Sequence, residues 1–123
     1  MGHLRIDGVE LVLALSRLEK LEALHGDVRL PLDKVRDVRV VLDPWSELRG
    51  VRAPGTGIPR VIAMGSRRSS FGKDFAAVHG AGSAVVVDLC SEARYHRLVV
   101  TDENAQRVAD DIDSARHTLP LPG

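Results

Sequence analysis

The sequence predicts a mainly β fold with α: a small antiparallel barrel or two packed sheets of about seven strands, closed by a C-terminal amphipathic helix. Three observations predict it. Short apolar stretches alternate with period two along most of the chain. Clusters of Gly, Pro, Asp and Ser separate them at turn-like intervals. Near the C-terminus the apolar spacing changes to three and four, the period of a helix lying on a surface.

The first strand is Val9 to Leu15, in which Leu11, Leu13 and Leu15 alternate with Val12 and Ala14. Asp7-Gly8 before it marks a turn. Ser16-Arg17-Leu18-Glu19 is a capping box, so a short helix follows the strand, with Leu18, Leu21 and Leu24 as its apolar stripe and Gly26 as its stop. Two turns of helix are not stable alone, and this one is expected to lie as a lid over a sheet or barrel end.

Val28 and Leu30 precede Pro31, which confines that strand to an edge or an end. Val38, Val40 and Leu42 form the next strand, and Trp45 to Arg49 a helical turn after Asp43-Pro44. Arg52 to Pro59 contains two prolines and two glycines and reads as a loop. A strand from Arg60 to Met64, an exposed basic loop from Gly65 to Gly72 and a strand from Lys73 to His79 come next. Gly80 to Gly82 turns into Ala84–Leu89, and Tyr95–Val100 completes what reads as an antiparallel meander. Thr101 caps the final helix, with Asp102 and Glu103 in its first turn and Ala105, Val108, Ala109, Ile112 and Ala115 on its apolar face. Residues 1–118 are read as a single domain and 119–123 as an extended or disordered tail.

Composition narrows the function classes. The 123 residues hold 44% apolar and 28% charged side chains, as in ordinary globular domains. Seventeen basic residues balance seventeen acidic ones, and there are only four aromatics, Trp45, Phe71, Phe75 and Tyr95. Both facts argue against nucleic acid as a partner. No apolar run is long enough for a transmembrane helix, and charges interrupt the N-terminal pattern, so a cytoplasmic location is expected. A single cysteine, Cys90, forbids an internal disulfide.

The order of elements and four segments, Leu15 to Gly26, Arg52 to Pro59, Lys73 to Val78 and Arg97 to Val100, resemble the bacterial pleckstrin-homology (PH)-like proteins. The likeness is to small single-domain actinobacterial ones of uncharacterised function. The resemblance implies a PH-like barrel or sandwich whose end loops or sheet edge recognise a partner. Phosphoinositide-binding PH domains cluster Lys and Arg around the first hairpin loop. Here that link is the helix from Ser16, with Arg17 and Lys20 balanced by Glu19 and Glu22. Membrane-surface contact by that route is therefore not expected.

The charge pattern supplies the candidate site. Arg49, Arg52, Arg60, Arg67, Arg68 and Lys73 lie in one stretch without an acidic residue, whereas Asp102 to Asp113 holds five carboxylates against Arg107. Arg52, Arg60, Arg67, Arg68 and Lys73 are the expected contacts for an anionic or acidic partner. The competing explanation is that folding supplies these arginines with carboxylates, those of the terminal helix included.

No other pattern carries chemistry. Pro54 to Pro59 lacks the lysine and following helix of a phosphate loop. The histidines 3, 25, 79, 96 and 117 lack helical metal spacing. A Cys90–His96 pair lacks an activating environment, and Asp110, Asp111 and Asp113 read as a solvated face. No catalytic residue, cofactor or metal is expected. The sequence points to a non-enzymatic binding or scaffolding module that meets an anionic or acidic partner, protein partners included, through a face of basic loops. The alternatives are a carrier of a small apolar ligand and a homo-oligomer pairing its basic and acidic faces.

Overall fold

The computed structural model describes residues 2–23, 26–58 and 60–118, apart from the side chains of residues 51–56. Nine strands form two sheets among these residues. β1 (His3–Asp7), β2 (Glu10–Ala14) and β3 (Val28–Pro31) make a three-stranded antiparallel sheet in that order. The larger sheet has six strands: β4 (Val35–Val41), β5 (Val51–Ile58), β6 (Ile62–Ser69), β7 (Gly72–His79), β8 (Ala84–Leu89) and β9 (Arg97–Thr101). Their spatial order is β4-β8-β9-β7-β6-β5. The helices are α1 (Arg17–Ala23) and α2 (Ala105–His117).

The architecture is mainly β, with two sheets and a C-terminal amphipathic helix. There is no closed barrel, because β4 and β5 end the large sheet on different edges. The expected meander is also corrected. β7 and β9 are parallel, Phe75 facing Leu98, and β8 pairs with β9 and β4 rather than with β7. The Gly80–Ser83 link carries the chain past the position that β9 later fills.

Two segments read as loops are strands. β5 covers much of the Arg52–Pro59 segment. Its pairing with β6 shifts register between Arg52 and Gly55, so Pro54 falls at an irregularity on a sheet edge, where a missing N–H is tolerated. β6 runs through most of the supposed basic loop to Ser69, and Ser69 faces Gly72 across a tight hairpin. Gly65 and Ser66 are buried within it.

The main core lies between the sheets. Leu11 and Leu13 from β2, Met64, Phe75, Val85, Val87, Leu98 and Val100 from the large sheet, and Ile112 from α2 share it. Tyr95 is fully buried and meets Phe75 edge-on, with ring centres 5.6 Å apart. Ala105, Ala109 and Ile112 are the buried face of α2, as its spacing predicts. Its cap differs: Thr101 ends β9 and donates to the Ala77 carbonyl, Asn104 occupies the N-cap, and Asp102 and Glu103 precede the helix.

The opposite face of the large sheet carries Ala63, Ala76, Val78, Ala84, Val86 and Val99. These small side chains leave room for Val41, Trp45 and Leu48 to pack over them. A 3-10 turn, Pro44–Glu47, carries Trp45, and the indole N–H donates to the Gly80 carbonyl at 2.8 Å.

The capping box at α1 forms in both directions: Ser16 Oγ accepts from Glu19 N, and Glu19 Oε1 accepts from Ser16 N. The helix does not bury the expected stripe. Leu18 and Leu21 are exposed, and Glu19 and Ala23 face inward; Leu24 lies outside the described residues. Glu19 Oε2 also accepts from Gly2 N, which draws that face of the helix toward the core. Residues 119–123 likewise lie outside the described residues.

Candidate partner-binding site

Strand register distributes the five expected contact residues over two ends of the sheet. Arg68 faces Lys73 across the β6–β7 hairpin, Arg67 faces Asp74, and Arg52 faces Arg67 from β5. These four belong to one end; the Arg52 side chain lies outside the described residues. Arg60 belongs to the other end, in the β5–β6 turn, at the far end of a strand that spans roughly 25 Å. It has a positive φ of 64° and pairs with Asp43 at 3.2 Å.

The two faces at the hairpin end differ. Arg67 and Asp74 share the outer face with Arg97 and Asp88, because β7 and β9 pair Asp74 with Arg97 and β9 and β8 pair Arg97 with Asp88. Within this row of alternating charge, Asp74, Arg97 and Asp88 are ion-paired. Arg49, arriving from beyond the 3-10 turn, grips Asp74 with Nε to Oδ2 at 2.8 Å and Nη2 to Oδ1 at 2.9 Å. Arg97 donates to Asp88 at 2.6 Å and to the Glu47 carbonyl at 3.2 Å. Arg39 bridges Asp88 and Glu47, at 2.5 and 2.9 Å. Arg67 donates to the carbonyls of Arg49 and Gly50.

The electrostatics follow from these contacts. Burial works against the Asp88 carboxylate, but hydrogen bonds from Arg97 and Arg39 outweigh it and hold its pKa below the ordinary value. The Asp74 hydrogen bond raises the pKa of Arg49 despite burial. For Arg39, burial opposes the charge and the bonds to Asp88 and Glu47 overcome it.

Beside this row lies a groove of about 460 Å³ lined by Arg36, Asp37, Arg49, Phe71, Asp88, Leu89, Ser91, His96 and Arg97. Its volume is in the range of small-ligand sites. Phe71 stands exposed in the β6–β7 turn, with the Arg49 guanidinium 4.8 Å from its ring centre. His96 links the two walls: Nδ1 lies 2.6 Å from the Phe71 carbonyl and Nε2 lies 3.3 Å from that of Ser91. Both ring nitrogens thus meet backbone carbonyls rather than Cys90.

The cations therefore divide in two. Arg49, Arg60, Arg39 and Arg97 have carboxylates. Among the described residues no carboxylate lies within 4.0 Å of Arg36, Arg68 or Lys73. Lys73 instead lies 5.1 Å from the Tyr95 ring centre, and Arg94 lies 5.4 Å from it. The acidic residues of α2 do not neutralise this end: Asp110 accepts from Gln106, and Asp113 pairs with Arg116 and His117.

Sequence reasoning missed Arg36, Phe71 and the His96 bridge. Arg36 stands between Asp33 and Asp37, so its local charge balance gave no signal. Only the β4–β8–β9 order brings it to the hairpin end.

Fold and site together define the class: a mainly β chain of two sheets, with an ion-paired outer row and a cationic end. Neither family models, nor curated proteins, nor solved structures offer a match to this chain. Among the described residues no helix is long and apolar enough to cross a membrane, and no group of His, Cys, Asp and Glu is arranged to hold a metal ion.

Proposed function

We propose that the chain is a non-enzymatic binding module that receives an acidic segment of a partner protein at the hairpin end of its large sheet. In this reading it belongs with PH-like domains, which present recognition loops at one end of a bent β framework. The single observation that carries it is the contrast in pairing. Arg49, Arg97 and Arg39 are neutralised in one row, while Arg68, Lys73 and Arg36 around the same end have no carboxylate within 4.0 Å among the described residues. Arginine offers two parallel donors to a carboxylate, and the groove beside Phe71 gives such a segment a concave seat.

The test is fluorescence anisotropy with a labelled oligoglutamate peptide at low salt. Exposed charge contacts contribute up to about 1 kcal/mol each, so the Arg68→Gln/Lys73→Gln double variant should bind about 10-fold more weakly. Arg60→Gln, altering the opposite end, should bind like the parent chain. The reading is overturned if the parent chain fails to bind, or if the double variant binds equally well.

A further inference from the structure

At the opposite end of the sheet, His79 ends β7 beneath α1. Its Nδ1 is buried without a hydrogen-bond partner. Glu19 Oε2 stands 3.9 Å from that nitrogen, and Glu22 Oε1 stands 3.9 Å from Nε2. Both carboxylates come from α1, three residues apart and hence on one helix face. We propose that His79 is a protonation-dependent clamp that fastens α1 to the large sheet.

A neutral imidazole has one N–H and can address only one of the two carboxylates. The imidazolium presents an N–H on each side, and an advance of about 1 Å would turn both contacts into charge-assisted hydrogen bonds. The surroundings leave this role to Glu19 and Glu22. Opposite His79, β6 presents Ile62, and from β9 the Thr101 hydroxyl accepts the His79 backbone N–H. Of the other charged groups at this end, the chain's N-terminal ammonium also acts on Glu19, by charge and by hydrogen bond, while Lys20 pairs with Asp27, Arg60 with Asp43 and Asp102 with His3, and Arg17 is exposed. Glu19 stays ionised where histidine titrates. Burial opposes its charge, and the hydrogen bonds from Ser16 together with the positive N-terminus outweigh that effect, so its pKa is lowered.

The clamp matters because α1 is short and buries little apolar surface among the described residues. It is seven residues long, it exposes Leu18 and Leu21, and only Glu19 and Ala23 are buried. A helix this short depends on its tertiary contacts. The sign follows directly: a proton on His79 strengthens the docking, so α1 is held more firmly at low pH and loosens as the imidazole deprotonates.

The experiment is amide hydrogen exchange by NMR on the full chain at about pH 5.5 and pH 8, on either side of the usual histidine range and corrected for intrinsic exchange rates. Protection of the amides in α1 should fall by about 10-fold at the higher pH, the worth of one charge-assisted hydrogen bond. His79→Gln should remove that difference. Because this variant alters a half-buried site, Glu22→Gln provides an independent reading and should reduce the change by about half on a logarithmic scale. Equal α1 protection at the two pH values in the parent chain overturns the proposal. So does an undiminished change in either variant.

Discussion

Replacing Asp74 by Ala should destabilise the protein by about 2–3 kcal/mol, through Arg49 rather than through lost packing. The Asp74 side chain is 5% exposed and that of Arg49 is 21% exposed, and two parallel hydrogen bonds join them. Breaking a buried pair from one side costs about 3–5 kcal/mol, because the remaining charge stays partly desolvated. Arg49 retains some water access and its contact with Phe71, which places the expected cost at the lower edge of that range or just below it. An unfolding entropy of about 2.1 cal/mol/K per residue then converts the loss to roughly 10 °C in Tm for a chain of 123 residues. Circular dichroism melts and urea titrations should agree. Arg49→Leu/Asp74→Leu should be more stable than Asp74→Leu alone, since it leaves no orphaned guanidinium. A loss below about 0.5 kcal/mol for Asp74→Ala, the level of an ordinary surface change, would refute the claim that the outer row is an interlocked structural element.

Three further perturbations probe other parts of the account. Gly72→Ala should cost more than Gly8→Ala in urea denaturation, by about 2 kcal/mol. Both glycines have positive φ, but a Cβ at residue 72 would run into the His96 ring, whereas residue 8 faces open space. Stability should fall on acidification as the pH passes below the ordinary Asp value of 3.8, because the folded Asp88 is held beneath it. A depressed carboxyl contributes stability above its unfolded pKa and loses it as pH falls through the folded one. The gap between the parent chain and Asp88→Asn should therefore narrow over that interval in pH-dependent urea titrations. Trp45→Ala should cost about 2–3 kcal/mol in the same assay, because it uncovers the small-residue face and removes the bond to Gly80.

The sequence made the periodic elements legible, and the structure shows why others were not. Leu11 and Leu13, the Ser16–Glu19 capping box and the Ala105–Ile112 stripe all express local physics, and all three appear. β5 was hidden because its glycines and prolines suppress a strand pattern, while an edge position with a register shift tolerates them. The α1 stripe misled because Leu18 and Leu21 suggest burial, yet the hydrogen bonds of Glu19 turn the opposite side inward. β1 was missed as a strand because Asp7-Gly8 was read as a turn before the first strand rather than between two. The charge cluster was real as a run of residues but not as a surface. Arg60 and Arg68 lie at opposite ends of β6, and only long-range pairing determines which cations keep carboxylates.

The most direct test of the binding account is residue-level mapping. ¹H–¹⁵N NMR spectra of the labelled full chain, titrated with oligoglutamate at low salt, locate whatever surface receives an acidic segment. The account predicts progressive shifts in Arg68, Phe71, Lys73, His96 and Arg36, little change at Arg60 or along α1, and reversal as salt is raised. Shifts centred on Arg60 or α1, or none at the β6–β7 hairpin, would contradict it.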